Sequence, residues 1–315
     1  MTLIVERKPF MRALHTALRA AERRAYLPSE RGVRLMRAAK ADVLRLVATD
    51  GDIWLSQTLP VTATADEEID IVLLDVRDVC RALQQLGGWE VRMGFEQRED
   101  RFDIESGGVH LSPPVMKGED APNWPAARGL AGKVEIADWP AKLRQVAPAI
   151  STEETRYYLN GVFLTRGETT WHFVATDGHR LFRTDVALRE DEPLDFGARK
   201  GIIIPRDAVH LIAGLCRRAG VSDVYMGLFY GPGPAPKEGP DNPCLAQFVI
   251  GPFSLAVRLI DGDFPDYERV IPKETTAQMC FSRGALVSAV EGIASNKGYS
   301  WRAVSLTFRQ GGGLR

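Results

Sequence analysis

Residues 174–181 read Val174-Ala175-Thr176-Asp177-Gly178-His179-Arg180-Leu181, which is typical of a strand end, a tight turn and the beginning of a second strand. Asp177-Gly178 supplies the turn, because glycine adopts positive φ without strain. The string Arg156-Tyr157-Tyr158-Leu159-Asn160-Gly161 precedes it, and Asp263-Phe264-Pro265-Asp266-Tyr267-Glu268-Arg269-Val270 follows it. None of the three strings places a nucleophile beside a base, so we interpret them as a structural corner that presents side chains on one surface.

The turn belongs to an internal repeat. Three strings of the first copy recur in the second: Val47-Ala48-Thr49-Asp50-Gly51 as Val174-Ala175-Thr176-Asp177-Gly178, Leu74-Asp75-Val76-Arg77-Asp78-Val79 as Ile204-Pro205-Arg206-Asp207-Ala208-Val209, and Asp120-Ala121-Pro122-Asn123-Trp124 as Asp263-Phe264-Pro265-Asp266-Tyr267. Because Asp50 and Asp177 occupy equivalent positions, we expect both to form turns and neither to carry chemistry. A third copy begins near Gln278. A repeat of this size predicts an architecture of similar units.

Each complete copy is predicted to contain two helices and several short strands, which favours an α+β class with antiparallel sheets. The helices are expected at residues 9–24, at 75–86 with Asp75 as cap, at 139–147 with Asp138 as cap, and after Ser282. The strands are expected at residues 33–38, 43–48, 53–59, 90–95, 101–104, 109–111, 133–136, 161–165, 171–176 and 301–308. We expect domains at residues 1–131, 132–271 and 272–315, the last one incomplete.

The composition limits the classes of function. The chain has 315 residues and a formal net charge of −1, so any nucleic acid would have to bind a local basic face. Its four cysteines are widely separated, which indicates free thiols in a reducing cytosol and a cytoplasmic protein. We see no signal peptide and no apolar run long enough to cross a bilayer, and therefore expect no membrane partner.

Basic residues recur on the corresponding helices. They are Arg12, Arg19 and Arg23 on the first, Arg77 and Arg81 on the second, Lys142 and Arg144 on the third, and Arg206, His210 and Arg217 on the fourth. Each stripe on its own is better explained as a solvated helix face. If the copies follow a curve, however, the four stripes fall on one surface, which suits contact with phosphates of any base sequence.

In their order and spacing the three strings closely resemble the bacterial sliding clamp, the beta subunit of DNA polymerase III, over the whole of this sequence. The resemblance implies a ring of such domains, lined by helices around duplex DNA, in which two three-domain subunits meet head to tail. It implies a processivity factor that tethers the polymerase and is not an enzyme, with no cofactor and no metal. Family members continue past Arg315, so we expect a truncated third domain.

The resemblance also implies site residues and partners. Family contacts with DNA fall on Arg24, Tyr157, Tyr158 and Arg206. The family's cleft for partner peptides falls on Leu159, Thr176, Gly178, His179, Arg180, Leu181, Pro265, Arg269 and Val270. The family's subunit interface falls on Val109, Leu111, Ile293 and Ala294. The implied partners are non-specific double-stranded DNA, the polymerase III alpha subunit, the clamp loader, other proteins with a clamp-binding motif, and a second copy, whose binding an incomplete third domain puts in question.

Alternative interpretations stay open at this point. Leu159 and Leu181 also fit plain core positions, and Asp177 with His179 fits a metal pair, although two ligands without a third are poor evidence for one. The Gly/Pro-rich insert at residues 231–243 is expected to be a surface loop, because it lacks the Gly-Lys-Ser/Thr of a phosphate-binding loop. The alternative function is that of a clamp-derived protein that forms no ring and binds DNA weakly or competes for clamp-binding peptides.

Overall fold

The computed structural model describes residues 3–21, 28–63, 66, 68–94, 101–189, 194–231, 241–274 and 280–294. Arg23, Arg24, residues 232–240 of the insert and the strand predicted at 301–308 lie outside the described residues. The chain divides into two units, Met1–Phe264 and Pro265–Arg315.

The described residues form helices and short strands in the alternation that the repeat predicts. Helices α1 to α6 are Arg7–Ala17, Pro28–Arg31, Val76–Gln85, Trp139–Val146, Arg206–Ala219 and Arg283–Ala294. Turns of 3-10 helix are Gly118–Asp120, Ala147–Ala149, Glu154–Leu159 and Tyr267–Val270. Strands β1 to β18 are Leu3–Glu6, Val33–Arg37, Val43–Thr49, Ile53–Pro60, Thr62–Ala63, Ile69–Leu73, Glu90–Gly94, Asp103–Ser106, Val109–Leu111, Val115–Lys117, Leu130–Ile136, Gly161–Arg166, Thr170–Thr176, Leu181–Ala187, Gly201–Pro205, Val224–Phe229, Leu245–Ile250 and Phe253–Arg258.

The strands form three antiparallel sheets, so the predicted α+β class is confirmed. The strand orders are β5-β1-β7-β8-β9, β10-β6-β2-β3-β4-β18-β17-β16-β11 and β14-β13-β12-β15. The nine-stranded sheet runs through both copies of the repeat, because β4 pairs with β18 and places Phe253 opposite Gln57 and Val257 opposite Ile53. The two copies therefore share one continuous sheet.

The helices pack on the sheets through apolar faces that the sequence pattern predicts. Helix α3 buries Val76, Val79, Cys80 and Leu83 and leaves Arg77 and Arg81 exposed. A stripe of this kind removes apolar surface from water while the charged face stays solvated. The helices of both copies bury their apolar faces in one hydrophobic core.

Three details of the predicted helices are wrong. Helix α1 ends at Ala17, because the amides that follow Leu18 bond three residues back, as in Arg19 N–H to the Thr16 carbonyl at 3.1 Å. Asp75 and Asp138 occupy the predicted N-cap positions, but neither caps its helix through its side chain. Both have left-handed backbone, with φ of 50° and 52°, which aspartate tolerates better than most residues, and the carbonyl of Asp75 accepts bonds from the amides of Asp78 and Val79.

The outer face of the nine-stranded sheet carries a small apolar cluster of its own. Its buried members come from β4, β17 and β18, and aromatic rings pack against them: Trp54, Leu245 and Ala256, with Trp124 and Phe229. Arg258 lies 5.6 Å from the ring centroid of Trp54, and Arg45 lies 5.6 Å from that of Trp124. Trp124 belongs to the segment that joins the two copies, so this segment is held on the shared sheet.

Gly118 begins that joining segment, at a point with no room for a side chain. A Cβ at Gly118 would overlap the carboxylate of Asp70, which is fixed by a two-pronged bond to Arg34 with 2.7 Å in each arm. We expect Gly118→Ala to lower the free energy of unfolding by about 2 kcal/mol, because neither partner of a bidentate pair yields easily. Urea unfolding of the wild type and the variant measures this difference in free energy. The matched control is Gly87→Ala, whose Cβ would meet nothing within 4 Å; equal stabilities of the two variants would contradict this account.

Candidate functional site

Four helices of the two copies lie side by side. Helix α1 packs on α3, and α4 packs on α5. Helix α1 also contacts α5, because Arg218 donates hydrogen bonds to the Arg12 carbonyl at 3.1 Å and to the Thr16 hydroxyl. On the same flank, a Cβ at Gly214 would lie 2.6 Å from the Arg19 guanidinium. The helices therefore follow one another in the order α3, α1, α5, α4.

The predicted basic residues on these helices face the solvent. Among those that the structure describes, Lys142 is half-buried and the others are exposed: Arg12, Arg19, Arg77, Arg81, Arg144, Arg206, His210 and Arg217. Arg81 is partly neutralised by Asp78 at 2.9 Å, and both side chains of this pair are strongly exposed. His15, Arg19, Arg77 and Arg81 line a cleft of 500 Å³ between the α1 end and α3. The arrangement offers a run of positive charge to an extended polyanion.

A second cleft, of 570 Å³, lies between α4, the beginning of α5 and the turn at residues 177–180, and is called the α4–α5 cleft below. Its lining is Arg144, Ala147, Pro148, Ile150, Ser151, Thr152, Glu153, Asp177, His179, Arg180, Arg206 and His210. Asn160 links two segments that line the cleft. Its side-chain amide donates to the backbone carbonyl of Glu153 at 3.1 Å, and its backbone carbonyl accepts from the backbone N–H of Arg206 at 2.9 Å. Arg206, predicted to contact DNA, and His179, predicted to bind peptides, thus share one cleft.

The turn at residues 177–180 is built as its sequence predicts. One Asp177 carboxylate oxygen accepts from the amides of His179 at 2.9 Å and Arg180 at 3.0 Å, and Gly178 has a φ of 88°. Asp50 in the first copy accepts in the same way from the amides of Asp52 and Ile53. The prediction that both aspartates form turns is confirmed.

The two aspartates differ in charge environment. The backbone N–H groups of Arg180 and His179 lower the pKa of Asp177 to about 2, and the Arg180 side chain adds to the effect at 2.9 Å. Burial, in contrast, raises the pKa of Asp50 despite its similar backbone bonds. The ionised form is therefore favoured at the turn of the second copy and disfavoured at that of the first.

A pH dependence follows from the lowered pKa of Asp177. Because the carboxyl group has a pKa of about 2 in the folded chain and an ordinary value of 3.8, its ionisation stabilises the fold above pH 4 or so and loses this effect as the pH falls toward 2. The melting temperature of Asp177→Ala should lie below that of the wild type by a constant amount at neutral pH. We expect this difference to shrink between pH 4 and pH 2; a difference that grows over this range would contradict the assignment.

The predicted peptide-cleft residues of the first unit lie at the base and tip of this turn. Thr176 and Leu181 face each other across β13 and β14, and both are partly exposed. His179 and Arg180 are exposed at the tip. Leu159 is only 3% exposed, so in this unit it lies beneath the surface. Pro265, Arg269 and Val270 belong to the second unit, in which Val270 is 69% exposed.

Tyr157 and Tyr158 lie in the 3-10 turn before β12, beside the α4–α5 cleft. Their rings meet edge to face with centroids 5.8 Å apart, and Tyr157 is 52% exposed. Arg156 pairs with Glu153 at 2.7 Å. The two tyrosines therefore form an aromatic surface patch next to the ion pair of Arg156 and Glu153.

The residues predicted for the subunit interface lie on exposed surfaces. Val109 and Leu111 are on β9, the edge strand of the five-stranded sheet, where Val109 is 43% exposed. Ile293 is 57% exposed on α6. Ala294 ends α6, and its side chain lies outside the described residues.

Sequence reasoning missed the contacts that join the copies. Neither the Arg218 bond to α1 nor the position of Arg19 against Gly214 was predicted. A glycine in the middle of a helix was the available signal, because such a residue often marks a close approach.

The described residues form neither a metal site nor a membrane span. Among these residues, no group of three or more His, Cys, Asp or Glu side chains is placed to hold a metal ion. Within the same residues, no helix has the length and apolar character needed to cross a membrane.

Comparison with known proteins gives a consistent result. The family model described as the N-terminal domain of the DNA polymerase III beta subunit matches residues 1–125, and that of its central domain matches residues 137–266. The beta sliding clamp of Caulobacter vibrioides (strain NA1000 / CB15N) is 30% identical over 99% of this chain and 79% of its own length.

Solved structures agree in fold. A beta sliding clamp from Caulobacter crescentus superposes with a TM-score of 0.81 and 26% identity, over 95% of this chain and 75% of that one. A DnaN sliding clamp from Bartonella birtlesii, bound to griselimycin, superposes with a TM-score of 0.82 and 27% identity, over 99% of this chain and 78% of that one.

Proposed function

Since the chain belongs to the DNA polymerase III beta subunit family, the beta sliding clamps, we propose that its row of four basic helices is the surface that contacts duplex DNA. The family's members are non-catalytic accessory subunits that give a polymerase processivity, as the sequence predicted. The observation that carries the proposal is the order α3, α1, α5, α4, which brings cations from both copies onto neighbouring helices. Contacts of this kind read phosphates and not bases.

The DNA contacts that we propose are Arg12, Arg19, Arg77, Arg81, Lys142, Arg206, Tyr157 and Tyr158, together with Arg24. The support for Arg12, Arg19, Arg77, Arg81 and Arg206 is their exposure, because long cationic side chains keep their charge in water until phosphates displace the solvent. Equilibrium binding to two duplexes of unrelated sequence tests the proposal. Equal affinities are expected, and a strong preference for one duplex would refute it.

The second proposed surface is a cleft for short peptides of partner proteins. We assign to it Leu159, Thr176, Gly178, His179, Arg180 and Leu181. In the second unit, we propose Pro265, Arg269 and Val270 as further contacts of such peptides. It is supported by the rigid turn beside Leu181, whose aspartate accepts two backbone bonds. The partners that we propose are the polymerase III alpha subunit, the clamp loader and other proteins with the same peptide motif.

We also propose three domains, at residues 1–131, 132–271 and 272–315, and contact between copies through Val109 and Leu111 on one side and Ile293 and Ala294 on the other. An exposed edge strand supports this contact, since β9 has a paired strand on one side only. Unpaired edges of this kind favour pairing with another chain.

A further inference from the structure

The α4–α5 cleft carries positive charge that no acidic residue in the described part of the chain neutralises. Arg144 and Arg206 supply this charge and form no ion pair there, and the rings of His179 and His210 belong to the same lining. Its two carboxylates are already engaged, Glu153 with Arg156 at 2.7 Å and Asp177 with Arg180 at 2.9 Å. The cleft is therefore suited to a negatively charged group supplied by a ligand.

The floor of the cleft shows which kind of anion fits. Ala147, Pro148 and Ile150 supply apolar contacts between the basic walls. A peptide brings a carboxylate on an apolar stem, and the mixed lining offers contacts to both parts of such a side chain. Arg206, which we also propose as a DNA contact, then serves either ligand.

The position of the cleft connects it with the proposed peptide site. His179 and Arg180 at the tip of the turn line the α4–α5 cleft, and Leu181 begins the strand that follows. The backbone bonds to Asp177 fix this turn, so residues of the α4–α5 cleft and Leu181 are joined through one fixed element.

We propose that the α4–α5 cleft binds an acidic side chain of the same partner peptide whose apolar anchors occupy the site at Leu181. This inference rests on the proposed function, because it needs a peptide at Leu181. It adds a specificity element: partners with an acidic residue flanking their apolar anchors bind more tightly than partners without one.

The test uses two fluorescein-labelled peptides with the same leucine and phenylalanine anchors. One carries two glutamates on each side of the anchors, and the other carries glutamines at these positions. We expect the full chain to bind the acidic peptide about fivefold more tightly at low salt, with the advantage falling as salt screens the charges. In Arg144→Ala/Arg206→Ala the ratio of the two affinities should fall to about one.

The matched control is Lys117→Ala/Lys133→Ala, which removes the same charge from exposed positions outside the cleft and should keep the fivefold ratio. Equal affinities of the wild type for the two peptides would overturn the inference. So would an unchanged ratio in Arg144→Ala/Arg206→Ala. If that variant loses duplex DNA while the wild type shows no preference between peptides, the cleft is a phosphate site. If Leu181→Asp binds the glutamine peptide as well as the wild type does, the proposed peptide site itself fails, and this inference fails with it.

Discussion

Replacing Leu181 with aspartate should weaken the binding of a clamp-binding peptide by about thirtyfold or more. Leu181 is partly exposed at the beginning of β14, opposite Thr176 and directly after the rigid turn. An apolar anchor of the peptide would have to bury the new carboxylate, and a central anchor contact of this kind is usually worth about 2 kcal/mol or more, about thirtyfold in affinity. Fluorescence anisotropy with a labelled peptide measures the loss.

The neighbouring residue offers a matched control for Leu181→Asp. Phe182 is 40% exposed and opposes Ala175, a core residue, so it points to the other face of β14. We expect Phe182→Asp to keep peptide affinity within about twofold, provided that its melting curve shows a folded chain. Equal losses in the two variants would show that the effect is a general one on the sheet and would remove Leu181 from the site.

Neutralising one arginine on each of three helices should weaken duplex DNA binding by about a hundredfold at low salt. The variant is Arg12→Ala/Arg77→Ala/Arg206→Ala, which takes one exposed cation from each of α1, α3 and α5. Exposed phosphate contacts are worth about 1 kcal/mol each, and three of them together give this factor. Since no base is contacted, the loss should be the same for every sequence.

A charge-matched control shows whether the loss of DNA affinity comes from direct phosphate contacts or from the lower net charge of the protein. Lys117, Lys133 and Lys200 are exposed and lie outside the four helices. Their simultaneous replacement by alanine removes the same three charges. We expect it to change duplex affinity by less than about threefold. If both triple variants lost the same affinity, only the net charge of the protein would matter and the helix row would not be the DNA surface.

The sequence predicted the turns and the apolar helix faces, because these features depend on residues that are neighbours in the chain. The turns at Asp50 and Asp177 follow from an acceptor side chain placed before a glycine, which satisfies the next amides whatever the rest of the chain does. The apolar face of α3 follows from helical periodicity in the same way.

What the sequence could not predict depends on residues far apart in the chain. The order of the helices rests on Arg218, which reaches the Arg12 carbonyl from the other copy of the repeat. The α4–α5 cleft needs Asn160 to hold two separate segments together. The absence of side-chain caps at Asp75 and Asp138 has another cause, since their left-handed φ cannot be read from residue type alone.

The dependence of duplex affinity on salt tests most directly the claim that the four helices hold DNA by its phosphates. The logarithm of the binding constant should fall linearly with the logarithm of the salt concentration, equally for two duplexes of unrelated sequence. In Arg12→Ala/Arg77→Ala/Arg206→Ala the slope should be shallower by about three units, one for each lost contact. A slope that stays unchanged in this variant, or that differs between the two duplexes, would contradict the account.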